Sequence, residues 1–227
     1  GTEEAPFLID SAEKLATLVQ QVNTRNETYV GPTVHYKLTA DIDLSNYQNG
    51  EGWVPIGSFN NRFSGVFDGN GKVITGLFIN RPDKNDQGLF GYVYEGTVKN
   101  LKLEGVDITG KDNVGGVAGQ TYGPGCSVQD CYVSGSVSGG DYVGGAAGKV
   151  NASTMKNLVL SDISVRGKDN VGGAVGKTDD NSSIEYCSVI GEIKGEKSTG
   201  GVVGTASNDV SVKLSCASGE VSGTIDV

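Results

Sequence analysis

The 227 residues suffice for one large domain or two small ones. Thirty-six are glycine and five proline, which fits neither collagen nor a disordered Pro/Gly-rich chain, and the 7% aromatic content favours a narrow core of Val, Ile, Ala and Gly over a thick globular one. A formal charge of -9 argues against nucleic acid or an anionic membrane as partner, since both require a basic surface.

Four cysteines without a CxxC pair and one histidine, His35, leave no set of residues for a Cys/His zinc site. No apolar run is long enough to span a membrane. The chain opens Gly1-Thr2-Glu3-Glu4 without Met, which fits removal of a leader, so export is an inference and attachment through a lipid on that leader is one route.

In chain order, the first element is a helix expected over about 11–22. Asp10 is placed to cap its free N–H groups, with Glu13 three residues on. Ala12, Leu15, Leu18, Val19 and Val22 share one face. A lone amphipathic helix ahead of a repeat array suits covering its open end. Residues 23–62 alternate short apolar runs with turn residues, so 1–62 reads as an N-terminal cap of helix plus irregular strands. His35 lies in one of those runs, where it reads as a cap residue and not as a catalytic one. Residues 63–79, with the turn Asp68-Gly69-Asn70-Gly71, read as a first, shorter coil.

From Gly88 a motif recurs: Gly88-Leu89-Phe90-Gly91, then Val114-Gly115-Gly116-Val117-Ala118-Gly119, then copies at 143–148, 171–176 and 199–204. The second glycine of each pair falls at 88, 116, 145, 173 and 201, steps of 28, 29, 28 and 28. A fixed period of that size marks a solenoid. We expect an all-β, three-sided parallel β-helix over 63–227, right-handed by strand twist, with about seven turns at ~4.8 Å each. Each repeat should hold three short strands. Alternation points Leu101, Cys131, Leu158, Cys187 and Ser215 inward with Leu103, Val133, Leu160, Val189 and Ala217; the third strand adds a column of Ile108, Val137, Val165, Ile193 and Val221. The glycine pairs allow either a sharp turn or close approach of the opposite wall. The last copy ends at Val227 without an evident cap, which leaves an edge suited to end-to-end pairing of two copies or to continuation within a longer protein.

Several columns carry chemistry. Asp112, Asp141 and Asp169 occupy equivalent turn positions, where stacked like charges need relief from Lys111 and Lys168, or from a Ca²⁺ ion or polar ligand. Tyr132 should point outward, and Tyr122 lies in the longest expected loop, Gln120 to Ser127; either ring suits stacking on a sugar. Cys131 and Cys187 should face inward two turns apart, some ~9.6 Å by strand spacing, beyond disulfide reach. Cys216 should face outward, and a Cys126–Cys131 bridge stays open. Of four arginines only Arg166 lies within the regular repeats, a thin basis for a polysaccharide-cleaving site.

The motif residues resemble a known family. Gly88-Leu89-Phe90-Gly91 matches the GLUG motif, and the later copies its looser form. Leu38-Thr39-Ala40-Asp41-Ile42-Asp43-Leu44, Trp53-Val54-Pro55-Ile56-Gly57 and Phe63-Ser64-Gly65-Val66-Phe67-Asp68-Gly69-Asn70-Gly71 are similar to the segment preceding such repeats in bacterial surface proteins. The resemblance covers roughly 7–223. It implies a secreted or surface-attached bacterial β-solenoid, in company with adhesin-like proteins and with the non-catalytic parts of IgA-cleaving metallopeptidases, whose H-E-x-x-H zinc motif is lacking here. The function expected is a non-catalytic module for adhesion or surface display, binding a host or environmental glycan or protein; the alternative is a carbohydrate-binding or polysaccharide-degrading β-helix.

Overall fold

The computed structural model describes residues 1–224. Its strands stack coil upon coil in three sheets, with parallel pairing between all the paired strands. The longest sheet has fourteen strands, and one path through it runs Phe7–Ile9, His35–Leu38, Val66–Asp68, Thr97–Lys99, Ser127–Ser138, Thr154–Arg166, Ser183–Glu185, Ser211–Lys213. A four-stranded sheet stacks Val114–Gly115, Asp141–Gly144, Asp169–Gly172 and Lys197–Gly200. A five-stranded sheet stacks Phe90–Tyr94, Ala118–Tyr122, Ala147–Asn151, Val175–Asp179 and Val203–Ala206.

The path holds eight rungs, one more than the period alone suggests. Phe7–Ile9 and His35–Leu38 pair with each other and then with Val66–Asp68, so the first 62 residues supply rungs of the same sheet as well as a cap. The expected second and third strands also differ. In two coils they fuse into single bent strands, Ser127–Ser138 and Thr154–Arg166, interrupted by a bulge. The inward columns stand as expected. Ile108, Val137, Val165, Ile193 and Val221 lie in one file, and the first four are fully buried. Cys131, Cys187 and Cys126 are buried and Cys216 is exposed; all four thiols are free, so Cys126 and Cys131 are not bridged. Burial pushes the Cys131 thiol up to about 12, as befits a small apolar filler.

The helix, Ala12–Asn23, begins one residue later than expected and its N-cap is Ser11, not Asp10. Ser11 is extended and its Oγ accepts the Lys14 N–H at 3.3 Å. Asp10 instead forms an ion pair with Lys14 at 2.7 Å, one turn on, with both side chains half exposed. Leu15, Leu18, Val19 and Val22 enter the same continuous core as the strands. Asn23, at the helix end, clamps the following loop: its amide donates to the Pro55 carbonyl at 3.0 Å and accepts the Gly57 N–H at 2.8 Å.

The core is not uniformly thin. Phe63, Phe67 and Phe90 pack together with centroids 4.9 and 5.3 Å apart, so the aromatics gather in the early coils. Later coils fill the same width with Val, Ala and Leu. At the far end Val212, in register with the buried Ile184, is 46% exposed because no described rung covers it.

The glycine pairs act by close approach. None of Gly88, Gly115, Gly116, Gly144, Gly145, Gly172, Gly173, Gly200 or Gly201 has positive φ. A Cβ on Gly116 would sit 2.6 Å from the Gly145 carbonyl oxygen and 2.8 Å from Val133 Cγ1. Left-handed backbone falls elsewhere, on other glycines such as Gly105 and Gly135 and on non-glycine residues that line up at three corners. One corner column is Asn70, Asn100, Asp130, Asn157, Tyr186 and Leu214; a second is Asp86, Asn113, Tyr142, Asn170 and Ser198. A third joins Glu95, Ala152, Asp180 and Asn208, with Gly123 in the same column. Asn and Asp tolerate this conformation because a short polar side chain bonds locally. Here the bonds also link coils, as Asn100 Nδ2 to Asp68 Oδ1 at 3.0 Å and Asn157 Nδ2 to Asp130 Oδ1 at 2.8 Å.

Two stability measurements follow. Gly116→Ala should cost about 1–3 kcal/mol in chemical denaturation, since its nearest obstacle is backbone that a side-chain rotation cannot move; an unchanged midpoint would refute the close-approach role. Tyr186→Asn should raise stability by about 1 kcal/mol by relieving left-handed strain at φ 55, and a loss of stability there would contradict this reading of the corner.

Candidate functional site

The aspartate column forms as expected. Asp141 pairs in register with Asp169, and Asp169 with Lys197. Asp112 sits one coil below, where its Oδ1 accepts the Asp141 N–H at 3.0 Å. Asp169 Oδ1 accepts the Asn170 N–H at 2.8 Å. The relief expected from Lys111 and Lys168 thus comes from backbone donors instead. Lys111 and Lys168 are exposed beside the same shallow groove without an ion pair to these aspartates. Among the described residues no three His, Cys, Asp or Glu side chains converge to hold a metal ion.

Tyr132 is half exposed, on the outer side of the long sheet. It borders a groove of about 550 Å³ along one corner with Asn70, Asn100, Asp130 and Asn157. Those amides are already committed: Asn70 to the Leu38 carbonyl at 3.1 Å, Asn100 and Asn157 to neighbouring aspartates. Tyr122 is not in a loop; it ends the strand Ala118–Tyr122, 43% exposed. Its ring stacks on Tyr94 of the coil below, with centroids 5.9 Å apart and planes at 11°. Tyr122 and Tyr132 therefore lie on different faces and do not act together.

Tyr122 belongs to a larger assembly. Strand register on the five-stranded sheet places Tyr92, Gln120, Lys149 and Lys177 in one row and Tyr94, Tyr122, Asn151 and Asp179 in the next. At the N-terminal end of these rows the 57–63 segment folds over the sheet and brings in Phe59 and Arg62. The Arg62 guanidinium carbon lies 4.8 Å from the Tyr94 centroid, 5.3 Å from Phe59 and 5.5 Å from Tyr92. Its Nε donates to the Phe59 carbonyl at 3.0 Å, which fixes the plane of the group. Further along, Lys149 and Lys177 Nζ lie 5.9 and 5.8 Å from the Tyr142 ring. Cations over aromatic faces thus recur along this side of a chain with net charge -9.

Beside Arg62 opens a cleft of about 630 Å³, lined by Arg25, Glu27, Phe59, Asn60, Ser64 and Tyr94 among others. Burial pushes the Tyr92 phenol up, partly offset by Arg62. Tyr94 is raised by its hydrogen bond to Glu95. Asp86 lies at the edge of the rows, where its Oδ1 accepts from Gln120 Nε2 at 2.7 Å and Asn113 Nδ2 at 2.8 Å. Burial raises its pKa by more than these two bonds lower it. Phe59, Arg62, Tyr92 and Tyr94 were not singled out from sequence, yet one signal was present: Tyr94 precedes Tyr122 by one period.

These features define a parallel β-solenoid with a helix-bearing N-terminal end and an aromatic, cationic side. Residues 112–138 match the GLUG motif. A protein of Evansella cellulosilytica named "Putative Gly-rich membrane protein" is 46% identical over 129 residues, covering 54% of this chain and 14% of that protein. Halomucin of Haloquadratum walsbyi is 32% identical over 161 residues, 68% of this chain and 2% of halomucin. The chain therefore spans only a small part of these curated relatives. A crystal structure titled as a putative immunoglobulin A1 protease from Bacteroides ovatus superposes with a TM-score of 0.76 at 23% identity, over 96% of this chain and 67% of that one, and shares the fold. The chain is a parallel β-solenoid that carries the GLUG motif over residues 112–138. Among the described residues no helix is long and apolar enough to cross a membrane.

Asp86 provides a pH test of this side of the molecule. A carboxyl whose folded pKa is raised adds stability when protonated, and that contribution is lost as pH rises through the folded value. Asp86→Asn keeps the acceptor oxygen without the desolvated charge. It should melt above the wild type at pH 7, with the advantage vanishing as pH falls below the usual carboxylate range near 3.8. A variant that is less stable at pH 7 than the wild type would show that the charge is fully compensated.

Proposed function

We propose that the chain is a non-catalytic, surface-exposed module of a longer secreted or cell-surface protein, which binds a glycan or protein through its outer faces. The observation that carries this reading is the in-register arrangement of outward-facing side chains on the five-stranded sheet, the exposed Tyr122 and the partly exposed Tyr94, Lys149 and Lys177, headed by Phe59 and Arg62. A parallel stack repeats such side chains at ~4.8 Å, which makes a rigid, extended surface suited to an extended partner. The small share of the relatives that this chain covers, and their names as a Gly-rich membrane protein and a halomucin, support a surface setting.

The second reading, a carbohydrate-directed β-helix, is favoured in its binding half by Tyr122, a 43% exposed ring backed by Tyr94. Cleavage requires two carboxylates free to act across a sugar bond. Asp86 is held by two amides, Asp179 pairs with Lys177 at 3.2 Å and Glu95 bonds to Tyr94, which leaves Glu27 as the single carboxylate lining the cleft, without a second beside it. An array carrying glycans and extracellular-matrix proteins, probed with the purified chain, should return saturable binding to a restricted set of ligands with no change in their chain length. Uniform lack of binding across the array would remove the adhesion reading, and shortening of a bound glycan would replace it with an enzymatic one.

A further inference from the structure

Resting on that reading, we propose that the five-stranded sheet face, from the Arg62 cleft along Tyr94, Tyr122 and Lys149, binds a polysaccharide bearing carboxylates, such as a chain of uronic acids. The face unites two recognition chemistries that the rest of the outer surface separates. Tyr94 is covered by the Arg62 guanidinium, 4.8 Å from its centroid, and by Tyr122 stacked against it, so the ring offered to a sugar is that of Tyr122, 43% exposed. Cations recur beside these rings: Arg62 at one end and Lys149 and Lys177 further along.

Arg62 is prepared for an anion. Its guanidinium is flanked by three rings and anchored through Nε, yet among the described residues it pairs with no carboxylate. The Nη edge, which suits a carboxylate bidentately, is left for a ligand. Arg25 lines the same cleft. In a chain with 27 acidic and 18 basic side chains, two of the four arginines meeting at one cleft runs against the overall charge. A neutral glycan would use Tyr122 and offer the guanidinium hydroxyl acceptors but no charged partner. Carboxylates on this side oppose the anion: Glu27 lines the cleft, Glu95 follows Tyr94 and bonds to it, and Asp86 lies at the edge of the rows within reach of Lys149's charge. Further along, Asp179 neutralises part of Lys177, so the favourable field is strongest at the Arg62 end.

From the rung of the 57–63 segment to that of Lys177 the face crosses about four coil steps, or ~19 Å. That length engages several sugar rings at once, so affinity should grow with oligomer length.

The probe is oligogalacturonate, compared with the same oligomer methyl-esterified so that the backbone remains and the charge is lost. Isothermal calorimetry on the full chain should show binding of the acid form that weakens with added salt, and at least about tenfold weaker binding of the ester. Arg62→Gln should weaken binding of the acid form by about tenfold and Tyr122→Ala by roughly fivefold. Glu27→Gln, at an exposed position outside the core, should tighten it. Circular dichroism and melting confirm that each variant is folded; should Arg62→Gln fail to fold, Glu27→Gln and the ester comparison still decide. Equal binding of acid and ester, no binding of the acid form, or tight binding unmoved by Arg62→Gln and Glu27→Gln would each overturn the proposal. In those cases array binding through another face leaves the adhesion reading intact, whereas a blank array removes that reading itself.

Discussion

The parallel backbone ladder between successive coils is the constraint on which the structure depends. Each rung must lie directly over the last, or the hydrogen bonds of three sheets fail together. Register is therefore shared by every position in a coil, and the glycine pairs make this possible at the narrowest place. At Gly116 the neighbouring coil's carbonyl oxygen occupies the space a Cβ would take. Bulk is excluded there for steric reasons, while the left-handed corners are left to Asn, Asp and a few residues that bear the strain.

The same ladder decides what the surface looks like. Side chains one period apart are forced into contact, so every choice is repeated or answered in the next coil. Aspartates repeated at a turn would repel, and the fold answers with backbone N–H donors: Asp112 turns to the Asp141 amide and Asp169 to that of its own neighbour. Tyrosines repeated on a sheet face attract, as Tyr94 and Tyr122 do at 11°. Lysines repeated as Lys149 and Lys177 settle over the ring of Tyr142. Like-charge stacking is thus dispersed in one row and absorbed by an aromatic in another.

The period made most of the fold legible from sequence. The inward files through Val137 and Cys131 follow from alternation once the 28-residue step is seen, because a parallel stack converts sequence spacing directly into position. The early coils were harder to read. They lack glycine pairs, and Phe7–Ile9 and His35–Leu38 are too short to declare their pairing, so a cap was expected where rungs exist. Asp10 and Ser11 are both competent caps, and only backbone geometry shows that Ser11 is the extended one. Tyr122 was recognised as a candidate but placed in a loop, since Tyr122-Gly123-Pro124-Gly125 reads as a turn. Arg62 carries no sequence signal because its partners, Phe59, Tyr92 and Tyr94, come from two segments that only the fold brings together.

Where periodicity fails, the molecule acquires a concavity. Regular coils generate flat faces and shallow corners, since each rung repeats the outline of the one below. The 57–63 segment departs from that outline: Asn23 at the helix end holds Gly57 by its amide and receives Asn61 by its carbonyl, and this tether lays Phe59 and Arg62 over Tyr92. The helix thereby does more than cover an edge. By fixing the loop, it turns the first flat stretch of the five-stranded sheet into a cleft, from which the tyrosine and lysine rows lead away. A repeat array supplies length and an irregular start supplies a place to begin binding; for a surface made of identical rungs, that break in symmetry is what gives an extended ligand a defined end.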